Sequence, residues 1–326
     1  VGTEPLPGRP SHHVEGGFRN PNPEFRRPEG WTRVSFFVRR MWASMVVPRS
    51  FEAPRVTAVE LAALASNPAP TVTWVGHATL LVQLEGVNLL TDPQWSTRAS
   101  PLSWAGPRRL SPPGLAFEEL PPIHVVVISH DHYDHLDLRT VQRLAAVHDP
   151  LFVVPLGLKA WFAELGITRV EELDWWQVHE ARGLRLVCVP AQHFAQRTPW
   201  DGNRRLWASW VVQGATRRLY VGGDTGYFDG FREAAERLGP FDLAALPIGA
   251  YLPPSIMQFV HLTPEQAVQA FEDLRARTLL GMHWGTFDLA EEPLDEPPVR
   301  MLAETRRRGI PDERAWILRL GETRRW

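Results

Sequence analysis

The sequence predicts an α/β protein whose sheets are covered by helices, and three observations carry that prediction. Short apolar runs closed by turns recur from about residue 71 onward, amphipathic stretches of helical period follow several of them, and the alternation continues towards the C-terminus. A chain of 326 residues with 44% hydrophobic content is also long enough to bury one large core.

Residues 1–30 are rich in Pro, Gly, Asn and charge and have no sustained apolar period, which predicts an extended arm or strap that supplies little core. Residues 31–70 form an amphipathic and connecting segment, in which Trp31, Phe36, Phe37, Val38, Met41, Trp42 and Met45 alternate with Arg33, Arg39 and Arg40 at helical spacing. Two readings of it stay open: a helix packed on the main domain, or a basic, aromatic face lying on a lipid interface. Residues 71–326 make the main domain. There TVTWV, ATLLVQLEG and VNLLTDP read as antiparallel strands, with Gly86 suited to a hairpin turn. The run PPIHVVVISH is apolar almost without a break and reads as a central strand buried on both faces, and LRTVQRLAA after it reads as a helix. Strand-loop-helix grammar then recurs in LFVVP, LRLVCVPAQHF, RRLYVGGDTG, FDLAALPIG and RTLLGMHWG, with helices at GLKAWFAEL, FREAAERL and TPEQAVQAFEDLRA.

The formal net charge of -2 provides no global basic field, which argues against a nucleic-acid partner. Cys188 is the single cysteine, so an intramolecular disulfide framework and thiolate metal sites are both excluded. The single lysine, Lys159, among 35 basic residues reflects compositional bias. No run of about 18 apolar residues suggests a spanning helix. The chain reads as cytoplasmic or periplasmic, with membrane association open. Because residue 1 is Val, it is read as a processed or trimmed product, with a removed signal or anchor left open.

The strongest chemical signal is Ser129-His130-Asp131-His132-Tyr133-Asp134-His135, directly after the apolar strand. Alternate side chains of an extended segment share a direction, so His130 and His132 can converge on one ion, while Asp134 and His135, past the bend, suit a second. Single candidates follow later strands: His193 after LRLVCVPAQ, Asp224 after RRLYVGG, and His283 after RTLLGM. His12, His13, His124, His148 and His179 have no partners at ligand-like spacing and read as surface or core residues.

The series HxHxDH followed by single His, Asp and His resembles the metal-ligand pattern of the metallo-β-lactamase superfamily. The strings WVGHAT, LLTDP, RASP, GPRR, ELPPI, ISHDHYDHLD, VPLGL, ELDWW, GDTGYF, GPFDLAALPIGAY, MHWGTF and EPP, spread from about Val72 to the C-terminus, are similar to its N-acyl phosphatidylethanolamine phospholipase D branch. The resemblance implies an α/β fold of the α+β sandwich kind, αββα, with two mixed β-sheets packed together, helices outside and a dinuclear metal site at one edge. It implies that His130, His132 and His193 bind one zinc, that Asp134, His135 and His283 bind the other, and that Asp224 bridges them. An all-N/O set suits zinc and leaves iron or manganese open. The implied catalytic residues are Asp134, Asp224 and His261. His261, in QFVHLTP, takes phosphate contact or proton delivery to the leaving alkoxide, and Val260 before it departs from the mammalian pattern, which has an amide side chain there. Tyr133 lines the pocket mouth or packs as a core aromatic, and His77 orders the loops beneath the metals.

The activity implied is a phospholipase D-type phosphodiesterase acting on glycerophospholipids. A metal-bridging hydroxide attacks phosphorus in the N-acyl phosphatidylethanolamine, N-acyl ethanolamine leaves as the alcohol, and phosphatidic acid is the second product. Peripheral membrane contact, an apolar groove beside the metals and a homodimer are further implications. A lactonase or carboxylic ester hydrolase is the alternative on the same metals, and a nuclease or a silent metal-binding protein stands further back.

Overall fold

The apolar runs of the sequence become strands, and in the computed structural model, which describes residues 1–20, 22, 25, 30–46, 49–57 and 69–326, they assemble into two seven-stranded sheets and one small hairpin. The hairpin pairs β1 (His13–Val14) with β2 (Gly17–Phe18) and is followed by helix α1 (Gly30–Val46). The first sheet holds β3 (Thr71–Gly76), β4 (Thr79–Leu84), β5 (Val87–Thr91), β6 (Val125–Val127), β7 (Leu151–Pro155) and β8 (Val170–Leu173). The second holds β9 (Val178–Ala181), β10 (Leu184–Val189), β11 (Ser209–Gln213), β12 (Arg218–Val221), β13 (Leu243–Pro247), β14 (Thr278–Met282) and β15 (Ala315–Trp316). The last strand, β16 (Thr323–Arg325), returns to the first sheet beside β3.

Both sheets follow one plan. In the order β16-β3-β4-β5-β6-β7-β8, the first three pairings are antiparallel and the next three parallel, and β9-β10-β11-β12-β13-β14-β15 repeats that pattern. This is the two-mixed-sheet architecture expected above. Two hairpins, β4–β5 and β9–β10, close on two-residue turns whose backbone is left-handed at both positions: Glu85 and Gly86 (φ 52° and 79°), and Arg182 and Gly183 (φ 52° and 85°). That geometry matches the twist of the flanking strands and explains the glycine in the second place.

The central strand β6 shows why its sequence is apolar without alternation. Val125 and Val127 face the core between the sheets with Trp74, Trp207 and Trp210, while Val126 and Ile128 pack outward with Val141 and Leu144 of α2 (Leu138–Val147) and Phe162 of α3 (Lys159–Glu164). Both faces are therefore dry. Four further helices follow, α4 (Gly230–Leu238), α5 (Pro254–Met257), α6 (Pro264–Asp273) and α7 (Glu296–Arg307), and Phe231, Val268 and Met301 of α4, α6 and α7 join the main core. Helix α6 opens on a reciprocal cap, in which the Gln266 amide N–H donates to Thr263 Oγ1 and the Gln266 side chain accepts from the Thr263 N–H. Helix α1 docks through buried Phe36 against Ala250, Ile256, Met257 and Ala290. No helix among the described residues is long and apolar enough to cross a membrane.

The N-terminal arm differs from the expectation of little core. Val14 and Phe18 are buried, Phe18 joins the main core, and its N–H donates to the Asn203 carbonyl at 2.8 Å. His12 and His13 are not isolated either: their Nε2 atoms lie 2.6 and 2.7 Å from the two carboxylate oxygens of Asp174. Partners more than 160 residues away leave no trace in local spacing. Residues 47, 48 and 58–68 of the connecting segment, and 21, 23, 24 and 26–29 of the arm, lie outside the described residues.

Candidate metal centre

Strands β3, β5, β6, β10, β12 and β14 run in one direction within their sheets, so the loops after them gather at one edge. Those loops carry His77, Asp92, Ser129 to His135, His193, Asp224 and His283. The backbone at His77, Asp92 and His283 is left-handed, with φ of 54°, 37° and 61°. Non-glycine residues held this way at one edge mark a site whose surroundings impose the conformation.

The side chains form two adjoining groups whose candidate ligand atoms lie within 4.8 Å of one another: His130, His132, His193 and Asp224, and His77, Asp134, His135 and His283. In the first, His132 Nδ1 is 2.8 Å from His130 Nε2 and 3.3 Å from His193 Nε2. In the second, His135 Nε2 is 3.2 Å from His283 Nε2, and Asp134 Oδ2 is 3.4 and 3.5 Å from the same two atoms. Asp224 stands between the groups, with Oδ1 2.9 Å from His283 Nε2 and Oδ2 3.2 Å from His135 Nε2 and 3.9 Å from His193 Nε2.

Hydrogen bonds behind the rings decide which nitrogen faces inward. His193 Nδ1–H donates to the Val260 carbonyl at 2.8 Å, His135 Nδ1–H to Asp92 at 2.7 Å, and His130 Nδ1–H to Ser129 Oγ at 2.9 Å, whose own hydroxyl donates to Asp92. Each imidazole with its proton on Nδ1 turns a bare Nε2 lone pair toward the others. Imidazole nitrogens and carboxylate oxygens converging in this way are held together by a cation, either protons on the rings or a metal ion among them. The separations fit one: tetrahedral zinc with Zn–N of about 2.0–2.1 Å has ligand–ligand edges of about 3.3 Å. Buried His261 Nδ1 has no hydrogen-bond partner, which the same cation or its substrate would satisfy.

The electrostatics agree. Burial holds His130, His132 and His193 below the ordinary histidine range, as neutral ligands must be. At His135 and His283 burial works the same way, but the carboxylates outweigh it, Asp224 foremost, raising His135 well above the usual range and His283 to about 9. Burial opposes ionisation of Asp134 and Asp224 too, yet the neighbouring imidazoles hold both well below the usual carboxylate range. Asp134 and Asp224 thus stay ionised and favour protons on His135 and His283, a positive charge that a bound metal ion would replace.

Around this cluster, His77 Nε2 lies 2.9 Å from Asp134 Oδ2 and orients it. His261 is buried at the margin, its Nδ1 3.8 Å from Asp224 Oδ2. Tyr133 both packs and lines: Arg197 lies over its ring at 4.1 Å, its hydroxyl donates to the Arg197 carbonyl at 3.0 Å, and it borders a cavity of about 320 Å³ with Leu102, Leu138 and Trp161. Its phenol is therefore committed to the protein. Asp92 is a further functional residue, and its place in LLTDP, just past a strand end, is the position of the other acidic and imidazole groups. It accepts from the Ser129 N–H and Oγ–H and from His135, each at 2.7 Å. Asn20, whose side-chain amide meets both the N–H and the carbonyl of His193, lies in the arm and carries no ligand-like spacing.

A family model described as beta-lactamase superfamily domain matches residues 87–284. Over 228 residues the chain is 47% identical to N-acyl-phosphatidylethanolamine-hydrolyzing phospholipase D 1 of Caenorhabditis elegans, covering 67% of this chain and 64% of that protein. It is 34% identical over 260 residues to the mitochondrial N-acyl-phosphatidylethanolamine-hydrolyzing phospholipase D of Saccharomyces cerevisiae, covering 77% of this chain and 55% of the yeast protein. The chain thus spans less than two thirds of the length of these relatives. Among solved structures it is similar to Igni18, a metallo hydrolase of the archaeon Ignicoccus hospitalis, with a TM-score of 0.61 and 21% identity over 79% of this chain and 98% of that one; the likeness is one of fold.

Proposed function

The chain belongs to the metallo-β-lactamase superfamily, and from that premise we propose that it is a metal-dependent phosphodiesterase of phospholipase D type, acting on N-acyl phosphatidylethanolamine or a related glycerophospholipid. The observation that carries the reading is the convergence of His130, His132 and His193 on one side of Asp224 and Asp134, His135 and His283 on the other. The substrate class is supported by 47% identity to a relative named for that hydrolysis.

In this reading the two groups hold two ions, zinc being the choice that imidazole and carboxylate donors favour. Such a pair supplies an activated water near neutral pH and counter-charge for a phosphodiester. The remaining work belongs to the chain. Asp224 ties the two halves together, Asp92 and Ser129 fix the imidazole tautomers, and His77 steadies Asp134. His261 offers a buried nitrogen without a protein partner beside Asp224, suited to a phosphate oxygen or the leaving alkoxide oxygen.

Helix α1 provides the membrane contact of the proposal. Trp31, Val34, Val38 and Trp42 recur at i, i+3, i+7 and i+11 and are exposed, at 79%, 52%, 54% and 58%. Phe36, Arg40 on Asp288 and Arg39 on Glu291 at 3.0 Å hold the helix to the main domain. An apolar stripe held outward in this way suits the interface of a lipid surface.

The test pairs substrates. Zinc-loaded protein is given phospholipid vesicles containing N-acyl phosphatidylethanolamine and, separately, lactones and a soluble carboxylic ester. Phosphodiester cleavage with little ester cleavage supports the proposal; the reverse selects the ester-hydrolase alternative.

A further inference from the structure

The N-terminal hairpin reaches the metal cluster through one side chain. Asn20 is buried, its Nδ2 donates to the His193 carbonyl at 2.6 Å, and its Oδ1 accepts from the His193 N–H at 3.1 Å. His193 follows β10 in irregular backbone and is itself fully buried, and among the described residues neither of those backbone groups has another partner. One amide therefore satisfies both sides of the residue, as a neighbouring strand would. The next described arm residue extends the contact: Asn22 Nδ2 donates to Gln192 Oε1 at 2.8 Å.

The hairpin that delivers Asn20 is firmly seated. A carboxylate buried in the main domain, Asp174, takes His12 on one oxygen and His13 on the other, and the His12 ring lies 4.2 Å from that of Trp175. At Gly17 the backbones meet so closely that a Cβ would stand 2.1 Å from the Asn203 carbonyl oxygen, so only glycine fits.

We propose that the hairpin is a working part of the metal centre and that Asn20 is a positioning residue for His193. The inference rests on the two-ion reading above. The His193 ring is then held from two directions, its backbone by Asn20 and its Nδ1 by the Val260 carbonyl, with Nε2 left to face His132. The consequence is asymmetric. His130, His132 and His193 form the group that depends on the clamp, through His193, whereas among the described residues no hydrogen bond joins the hairpin to Asp134, His135 or His283.

The experiment is a metal titration of the full chain, with Zn²⁺ competed by a chromogenic chelator and Co²⁺ absorption reporting the ligand field. Wild type is expected to bind two equivalents. Asn20→Ala is expected to keep one at wild-type affinity and to weaken the other by about 10–100-fold, the usual cost of losing a ligand's orienting partner. A purely structural role would instead lower the melting temperature and weaken both equivalents together, and that result overturns the proposal, as does a folded Asn20→Ala protein with two unchanged equivalents. If Asn20→Ala does not fold, Asn20→Asp keeps the acceptor for the His193 N–H and loses the donor, and the same one-site loss is expected. A wild-type chain that does not bind two equivalents overturns the two-ion reading, and this inference with it.

Discussion

Replacing Asp92 by Asn probes how the cluster aims its donor atoms. The amide keeps the shape of the carboxylate and can still accept from the Ser129 N–H, but it places an NH2 group against Ser129 Oγ and His135 Nδ1. His135 Nδ1 must then accept, which moves the ring proton to Nε2, the atom 3.2 Å from both His283 Nε2 and Asp224 Oδ2. Ser129 Oγ, now an acceptor from the amide, turns its hydroxyl toward His130 Nδ1 at 2.9 Å, and that ring's proton moves to Nε2 as well. A protonated Nε2 has no lone pair to give. Each group loses one properly aimed imidazole, at about 10–100-fold in metal affinity per site, or about 1.4–2.7 kcal/mol. Chelator competition gives both constants, and a circular dichroism melt shows that the variant is folded. Wild-type affinity for both equivalents in folded Asp92→Asn would refute the tautomer argument.

Three further outcomes are expected. Asp224→Asn reduces bound metal at both groups and abolishes turnover, because Asp224 reaches both; unchanged metal content with full activity contradicts its bridging place. His261→Ala retains both equivalents while turnover falls by about 10²–10⁴-fold, the range for a lost acid–base group; loss of metal in that variant would instead make His261 a ligand. The seat of the hairpin is acid-sensitive. Burial pushes Asp174 up, but hydrogen bonds from His12 and His13 outweigh it and leave the carboxyl below its ordinary value. Its contribution is therefore present above the unfolded carboxylate pKa of about 4 and is lost as pH falls through the folded value. Limited proteolysis within the first 20 residues should accelerate over that window, and Asp174→Asn should be cleaved readily at neutral pH; a pH-independent cleavage rate would count against the latch.

Much of the site could be read from the sequence because its chemistry is local. His130 to His135 lie in one loop after one strand, and His193, Asp224 and His283 each follow an apolar run, so strand polarity alone predicts that they share an edge. The sheet pattern was legible where alternation or a left-handed turn marked it, as at Gly86. The repeated pairing plan of the two sheets was not, since β16 joins the first sheet from the far end of the chain. Long-range polar contacts were equally silent. His12 and His13 find Asp174 across more than 160 residues, and Asn20 finds His193 across 173. Asp92 is the intermediate case, because an acidic residue before proline reads as a turn until His135 is placed against it.

The most direct measurement of the central claim is mass spectrometry of the products formed by zinc-loaded protein from N-acyl phosphatidylethanolamine vesicles in water enriched in ¹⁸O. Attack of water on phosphorus predicts N-acyl ethanolamine without label and phosphatidic acid with one ¹⁸O in its phosphate. Label in a released carboxylate, or an unchanged lipid pool from protein that holds both ions, would contradict the account.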